Sequence, residues 1–319
     1  MTPKSETPIP SPEAGQETSP PTLFDWLLFT LIVAIGGSSF SMIRGAVETI
    51  SPIAITVIRL WIGAIFMMGV MMHAGRRFPP LFAQNGETRR LSREWKFILA
   101  ISLIGYVIPF LIFPWAQQYV ESGLAGIYMA FMPIWTVVLA FFFAGETLST
   151  KKISGFAIGF IGVIVLIGPS VVDGAKTTYF PAQLGILIAT LCYAASAILT
   201  RIAPPIRPRA FAASTLLCAA IFSTPAIFFA SLNIDEWSTL SIVNTIGLGL
   251  LPTGLAGIIL ITLIQRVGAG FMSLANYLTP LWAVILGAIA FNERLELSAL
   301  IALVIILTGV ATSQHEKKK

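Results

Sequence analysis

Few residues of this chain have types that could do chemistry, and their settings favour binding over catalysis. Arg59 is the only charge well inside an apolar stretch, where a guanidinium can receive a carboxylate through two parallel hydrogen bonds. Asn276 places an amide in a similar setting, which is costly without a polar partner. Uncharged aromatic and hydroxyl groups in neighbouring stretches would complete a lining that suits small amphiphilic solutes. They are Tyr277, Tyr128, Trp135, Trp282, Tyr106, Tyr193, Ser196 and Ser39.

Two of these assignments have a structural alternative. Arg59 is near one end of its apolar stretch, so its long side chain could instead reach solvent or pair with Glu48 or Glu121. Ser39 and the serines beside it also permit close packing between helices, which explains small hydroxyl residues equally well.

Pro133 and Pro280 are predicted to act as hinges beside these polar groups. Each lies about ten residues into an apolar stretch, which at about 1.5 Å per residue corresponds to mid-bilayer depth. Proline removes a helix hydrogen bond and frees the carbonyl four residues earlier, here that of Met129 or Asn276. The alternative is a pair of kinks that neighbouring helices repair without any role in binding.

Groups suited to catalysis, metal binding or proton coupling are absent from the middle of the apolar stretches. All 15 acidic residues fall in tails, loops or the ends of these stretches, and the two cysteines show no metal-ligand spacing. No GxxxxGK[ST] segment for binding ATP occurs. The sequence therefore predicts no enzyme, no metal and no cofactor, and it favours facilitated diffusion or exchange, or coupling through an uncommon group.

The composition requires a lipid environment for these stretches. The chain is 56% hydrophobic and 11% charged, whereas soluble domains carry about 25% charged residues. Apolar runs of this length predict helices that cross the hydrocarbon core, because a barrel would show short alternating strands instead. The predicted spans are 24–43, 52–72, 96–116, 123–144, 153–172, 182–200, 210–231, 241–264, 270–291 and 297–314.

The basic residues predict how these spans are oriented. With the N-terminus in the cytoplasm, sixteen Lys and Arg fall in cytoplasmic segments and three in outer ones. Both termini are then cytoplasmic, and the net charge of +5 reflects membrane orientation rather than binding of nucleic acid. The tails are expected at 1–22, which is polar and proline-rich, and at 315–319.

The second half of the chain repeats the first with an offset of 147 residues. Five predicted spans in each half mean that the second copy enters from the opposite side of the membrane. The predicted fold is therefore an all-α membrane protein of ten transmembrane helices in two inverted five-helix repeats, 23–172 and 173–314. The matching pairs are Gly123 and Gly270, Pro133 and Pro280, Trp135 and Trp282, Glu146 and Glu293, and Gly162 and Gly309. For Glu146 and Glu293 a capping or loop-fixing role is expected.

Three groups of residues resemble the EamA-type branch of the drug/metabolite transporter superfamily. They are the segment from Gly36 to Arg44, the segment from Pro52 to Arg59, and the two blocks that contain Pro-x-Trp and Glu-x-Leu. The resemblance covers roughly 24–314 and implies ten helices, two five-helix repeats, cytoplasmic termini and transport of small metabolites.

The expected function is that of a secondary transporter working by alternating access in a bacterial cytoplasmic membrane. Its expected partners are the lipid bilayer and a small-molecule cargo, such as amino acids or related amphiphilic solutes, with export as the expected direction. The protein is expected to be a monomer or a weak dimer. Two alternatives remain open, a membrane-embedded enzyme acting on lipids and a channel-like facilitator.

Overall fold

The computed structural model describes residues 21–75, 77–85, 88–147, 149–172, 179–272 and 274–314. The predicted tails therefore lie outside the described residues, except for residues 21 and 22. Helices dominate the described part of the chain. They are α1 (Leu23–Ala46), α2 (Pro52–His73), α3 (Arg93–Ala116), α4 (Ser122–Phe143), α5 (Thr150–Val172), α6 (Tyr179–Ile202), α7 (Pro208–Phe229), α8 (Thr239–Val267), α9 (Ala275–Phe291) and α10 (Leu297–Gln314).

Eight of these helices, α1 to α8, are long and apolar enough to cross a membrane, and α9 and α10 are shorter apolar helices. The prediction of a helical membrane protein is confirmed, while ten transmembrane crossings remain a prediction. The predicted span 270–291 is not one continuous helix in the structure. A single helical turn, Ala269–Met272, precedes α9, and the Leu274 N–H bonds back three residues to the Phe271 carbonyl in place of an α-helical bond.

Three helices contain π-helical or 3-10 segments. A π-helical segment occupies Ser102–Val107 in α3, and another occupies Gly249–Leu255 in α8. The end of α7 tightens into a 3-10 helix over Thr224–Phe229, and a 3-10 turn follows at Ile234–Glu236.

Between α2 and α3 the structure adds an antiparallel hairpin that the hydropathy pattern did not indicate. Its strands are β1 (Phe82–Asn85) and β2 (Thr88–Leu91), with Phe82 opposite Leu91.

Local sequence explains where several helices begin and end. Thr22 and Asp25 form a reciprocal capping box at the start of α1. Ser51 caps α2, and Pro52 occupies the first turn, where a missing N–H costs nothing. At the other end of α9, Asn292 takes a left-handed conformation with φ 52°, which asparagine tolerates better than most residues.

Buried side chains form three apolar clusters among the described helices. The largest includes Phe40, Tyr128 and Ile306. The second includes Leu60 and Phe110, and a third joins α1 to the second half of α8. Tyr193 of α6 packs against both of the first two clusters, so it connects the two regions of the interior.

Helices α5 and α10 pack closely and in opposite directions. A Cβ added to Gly155 would lie 2.6 Å from the Gly309 carbonyl oxygen, and one added to Gly162 would lie 2.7 Å from Ile306 Cγ1. As the residue number rises along α5, the partner number falls along α10, so the two helices are antiparallel. Glycine is needed because a side chain at these positions would push the two backbones apart.

The contacts between α5 and α10 also exchange under the 147-residue offset. Gly309 meets Gly155 and Gly159, while Gly162 meets Ala302 and Ile306. Subtracting 147 from the numbers of the α10 residues gives the α5 residues: Gly309 corresponds to Gly162, Ala302 to Gly155 and Ile306 to Gly159. The contact that Gly309 makes on α5 is therefore equivalent to the contact that Gly162 makes on α10, as expected for two helices related by a two-fold axis.

Candidate solute-binding site

Arg59 lies in the interior, held by groups from two other helices. Only 6% of its surface is exposed. Its Nε donates a hydrogen bond of 2.8 Å to Thr253 Oγ1 on α8. Its guanidinium carbon lies 3.7 Å from the centroid of the Phe110 ring on α3, a cation–π contact. Arg59 therefore does not take the solvent-reaching alternative.

Glycines let α2 and α8 approach each other closely enough for this contact. A Cβ added to Gly63 would lie 2.6 Å from Thr253 Cγ2. One added to Gly249 would lie 2.6 Å from Ile62 Cβ and 3.1 Å from the Arg59 carbonyl oxygen. Because neither glycine carries a side chain, the hydroxyl of Thr253 can reach the guanidinium directly.

Pro252 explains why Thr253 presents a lone pair to Arg59. Proline cannot donate to the carbonyl four residues earlier, which is that of Leu248. Thr253 Oγ1 donates to this carbonyl at 2.7 Å. Its single hydrogen is then committed, so its remaining lone pairs accept the N–H of Arg59.

The two π-helical segments occupy equivalent positions in the two halves of the chain. Ser102 lies 147 residues before Gly249, where the second segment begins. Tyr106 of the first segment likewise lies 147 residues before Thr253 of the second. Thr253 accepts a hydrogen bond from Arg59, and the Tyr106 ring packs against the Phe110 ring that the guanidinium contacts. Such segments are rare and frequently occur at functional sites.

The Phe110 ring that contacts the guanidinium is one of several aromatic rings packed in this region. The Tyr106 and Phe110 rings are 5.7 Å apart, and the Phe113 and Tyr193 rings are 6.0 Å apart. Tyr106 and Tyr193 both pack against the second apolar cluster, to which Phe110 belongs. The resulting "arginine site" is defined here as Arg59, Tyr106, Phe110, Tyr193 and Thr253.

Ser196, another residue singled out from the sequence, lies beside this site. A Cβ added to Gly105 of the α3 π segment would lie 2.2 Å from Ser196 Oγ. The structure thus brings together four of the residues expected to bind solute, namely Arg59, Tyr106, Tyr193 and Ser196.

No carboxylate of the described part of the chain pairs with Arg59. The acidic side chains that form ion pairs among the described residues pair with other basic residues. Asp25 accepts from Arg266 Nε at 2.5 Å, and Glu146 binds Lys152 at 3.0 Å and also Arg201. The positive charge of the arginine site is therefore not balanced by any described acidic side chain.

A second set of expected residues lies at the break in α4. The helix is interrupted between Met129 and Met132, where the Phe131 N–H bonds back to the Tyr128 carbonyl. Pro133 follows as the second residue of the next segment. The Tyr128 hydroxyl and the Trp135 Nε1 are buried, and neither has a hydrogen-bond partner among the described residues. Buried donors without acceptors are costly, so this break holds two donors available to a ligand.

The remaining expected residues lie where α9 meets α1. Trp282 Nε1 donates to Ser38 Oγ at 3.1 Å, and the Ser39 hydroxyl donates to its own helix at the Gly36 carbonyl. The side chain of Asn276 is exposed, whereas Tyr277 packs against the largest apolar cluster. Pro280 is buried inside α9, which continues through it without a break.

Sequence reasoning missed Thr253 and Phe110, which contact the guanidinium directly. Phe110 has no polar group to draw attention in an apolar stretch. For Thr253 a signal was present, because Pro252 and a hydroxyl stand together among the glycines Gly249 and Gly254.

The repeated glutamates Glu146 and Glu293 each connect different helices through hydrogen bonds or ion pairs. Glu293 Oε1 accepts from the N–H and hydroxyl of Ser122, both at 2.8 Å, and Oε2 accepts from the Gly123 N–H at 2.9 Å. The expected capping role of Glu293 is confirmed, since these groups begin α4. Hydrogen bonds from Arg201 and Lys152 hold the pKa of the Glu146 carboxyl below its usual range.

These features define an integral membrane protein with an internal duplication and a polar site between its helices. The family model of the EamA-like transporter family matches residues 24–168 and 180–313, one match in each half. The chain belongs to the EamA-like transporter family.

Bacterial transporters are among the curated relatives. The chain is 21% identical over 286 residues to the uncharacterized transporter YoaV of Bacillus subtilis, covering 88% of this chain and 92% of the relative. It is 25% identical to the protein PagO of Salmonella typhimurium, over 89% of this chain and 90% of that one. The uncharacterized inner membrane transporter YedA of Escherichia coli is also 25% identical, over 89% of this chain and 88% of the relative.

A solved crystal structure shares the fold. Its TM-score is 0.61 at 17% sequence identity, covering 91% of this chain and 97% of that chain. Together with the apolar helices, the family match and the curated bacterial relatives identify a membrane transporter and point to a bacterial inner membrane.

Proposed function

We propose that this protein is a secondary transporter that moves small organic metabolites by alternating access, with the arginine site at its centre. One observation carries the proposal. The equivalent π segments of the two halves contribute Thr253, which bonds to Arg59, and Tyr106, whose ring packs against the Phe110 ring that the guanidinium contacts. This arrangement supports a site between the two repeats. Transporters built from inverted repeats bind cargo near such a position, between helices whose regular geometry is interrupted.

The packing of α5 against α10 supports the inversion of the repeats. Their contacts exchange under the 147-residue offset, and the two helices run in opposite directions. Only a two-fold axis perpendicular to both helices combines these properties, and for membrane-spanning helices such an axis lies in the membrane plane. We take the repeat units as 23–172 and 173–314.

A difference between the two ends supports alternating access. At the Glu293 end, the first segment of α4 packs against α9, where a Cβ added to Gly126 would lie 2.5 Å from Ala283 Cβ. Glu293 fastens this contact by capping Ser122 and Gly123. The equivalent Glu146 binds Lys152 and Arg201 instead. With cytoplasmic termini, the Glu293 end is the outer end, and this conformation is closed there.

The proposal includes a cargo of amino acids or related amphiphilic solutes and net export, in a monomer or weak dimer. The test is flux through purified protein in liposomes loaded with a metabolite mixture. We expect saturable uptake that an internal pool of the same solute accelerates, because a carrier exchanges its cargo. Flux that rises linearly with concentration and shows no such acceleration would indicate a channel-like facilitator and would overturn the proposal.

A further inference from the structure

We propose that the cargo of this transporter is a small monocarboxylate with an apolar body, and that its carboxylate binds the Nη1 and Nη2 edge of Arg59. The inference rests on the proposed transport function and sharpens it, since it separates organic acids from zwitterionic amino acids. Three features of the arginine site support it, namely its charge, the free edge of the guanidinium and the surrounding side chains.

The charge of Arg59 is buried without a described counter-ion. A cation–π contact with Phe110 and a hydrogen bond to a neutral hydroxyl compensate its loss of water only in part. Other acidic side chains already have partners. Asp25 pairs with Arg266, and Glu146 pairs with Lys152 and Arg201. Glu293 accepts hydrogen bonds at the start of α4. A bound anion would supply the missing negative charge, which is the usual requirement for an ionised group at this depth.

The contacts that hold Arg59 leave one edge of the guanidinium for a ligand. Thr253 Oγ1 takes Nε, and the Phe110 ring covers one face. In the described part of the chain, no acceptor takes a hydrogen bond from Nη1 or Nη2. These two groups present parallel N–H donors at the spacing of carboxylate oxygens, so a carboxylate fits them as a fork.

The side chains around this edge select the rest of the cargo. Phe110, whose ring the guanidinium contacts, belongs to the second apolar cluster, and Tyr106 packs against that cluster; both side chains suit an apolar body. A single guanidinium balances one negative charge, so a phosphate ester with two charges would leave an excess. A zwitterionic amino acid would bring an ammonium group to a site where no described carboxylate receives it, and it would leave the Arg59 charge unbalanced.

The experiment compares matched ligands on the purified full-length protein by isothermal calorimetry near pH 7.5. The probes are butyrate, 3-phenylpropionate and the primary amide of each acid. Phenylalanine is added because it is 3-phenylpropionate with an α-ammonium group. We expect at least one acid to bind about tenfold or more tightly than its amide, and 3-phenylpropionate to bind better than phenylalanine.

Three variants connect this preference to Arg59. Arg59→Gln should remove the preference for acid over amide, and Arg59→Lys should retain the charge but lose about tenfold in acid binding, because an ammonium cannot form the fork. Arg294→Gln removes an exposed arginine outside the site and should bind the acid normally. If Arg59→Gln does not fold, the Arg59→Lys result decides.

Two outcomes would overturn the inference. One is that no acid binds better than its amide, and the other is that phenylalanine matches 3-phenylpropionate. Flux of the metabolite mixture in liposomes is measured on the same preparation. Saturable flux without a preference for acids would reject the monocarboxylate as the cargo and would still support the proposed transport function. Acid binding that depends on Arg59, without saturable flux, would support the carboxylate site and would reject the proposed transport function.

Discussion

Thr253 connects the backbone irregularity of α8 to the charge of Arg59. Its hydroxyl donates to the Leu248 carbonyl, next to the π-helical segment, and the same oxygen accepts the N–H of Arg59. A residue that stabilises a helix interruption and also orients a charged side chain couples local geometry to the site. Movement of the α8 π segment would therefore move the guanidinium with it.

We expect Thr253→Val to weaken the protein and its site together. Valine has a similar shape but leaves Arg59 Nε without its acceptor, and the Leu248 carbonyl loses one of its two donors. The free energy of unfolding should fall by about 1–3 kcal/mol, and binding of 3-phenylpropionate should weaken. Both effects can be measured on protein in detergent, by unfolding and by calorimetry.

Thr262→Val is the matched control for this change. Thr262 lies on the same helix, and its hydroxyl donates only to the Ile258 carbonyl at 2.8 Å. Its removal should change stability by about 0.5 kcal/mol or less. Equal losses in the two variants would mean that the contact between Thr253 and Arg59 contributes nothing.

At the residue scale, the sequence indicated part of the site. Arg59, Tyr106 and Tyr193 are polar groups in apolar stretches, so their unusual setting made them visible, and in the structure all three lie near Phe110 and its apolar cluster. Asn276 was equally visible, but its side chain is exposed. An apolar sequence does not reveal which face of a helix meets the neighbouring helices, because a membrane span is apolar on all sides.

At the element scale, helix positions followed from hydropathy, but interruptions within helices did not. The predicted span 52–72 corresponds to Pro52–His73, and 123–144 corresponds to Ser122–Phe143. The π segments remained hidden because a single wider turn does not alter an apolar pattern. Proline is an incomplete guide to such interruptions, since Pro133 follows a break whereas Pro280 lies in a continuous helix.

We expect Gly309→Ala to disrupt the packing of α5 against α10. The added Cβ would lie 2.6 Å from the Gly159 nitrogen and 2.7 Å from the Gly155 carbonyl oxygen. Both are backbone atoms, so relief requires separation of the helices, at a cost of about 1–3 kcal/mol or more. Thermal unfolding of the purified variant measures the effect.

Gly168→Ala provides the comparison on α5. A Cβ added there meets no atom within 4 Å, and alanine favours helix by up to about 1 kcal/mol over glycine. This variant should be as stable as the parent protein or slightly more so. If Gly309→Ala melted at the same temperature as Gly168→Ala, the close glycine contact would not contribute to stability.

At the scale of the whole molecule, the two halves make the same local structure. The Glu146 N–H bonds to the Ala140 carbonyl at 3.2 Å, and the Glu293 N–H bonds to the Gly287 carbonyl at 3.3 Å. The two turns follow α4 and α9, which are equivalent helices of the two halves. In inverted repeats, equivalent turns lie on opposite sides of the membrane.

Labelling of single cysteines beside these two turns tests the inversion directly. Thr147→Cys and Arg294→Cys replace exposed residues, in a background where Cys192 and Cys218 are changed to alanine. In intact cells, a maleimide that cannot cross membranes should label Arg294→Cys and spare Thr147→Cys until the membrane is opened. Equal labelling of both in intact cells would reject inverted repeats.

Among the residues that the structure describes, only the first half contains a hairpin, β1–β2. Pro52 and Pro208 both open the second helix of a half and are 156 residues apart, whereas Glu146 and Glu293 are 147 apart. The extra residues of the first half fall between α2 and α3, where the hairpin lies. The helices that the two halves share therefore pack without such a hairpin in the second half, so the connection between α2 and α3 should tolerate insertion of an epitope or a fluorescent reporter.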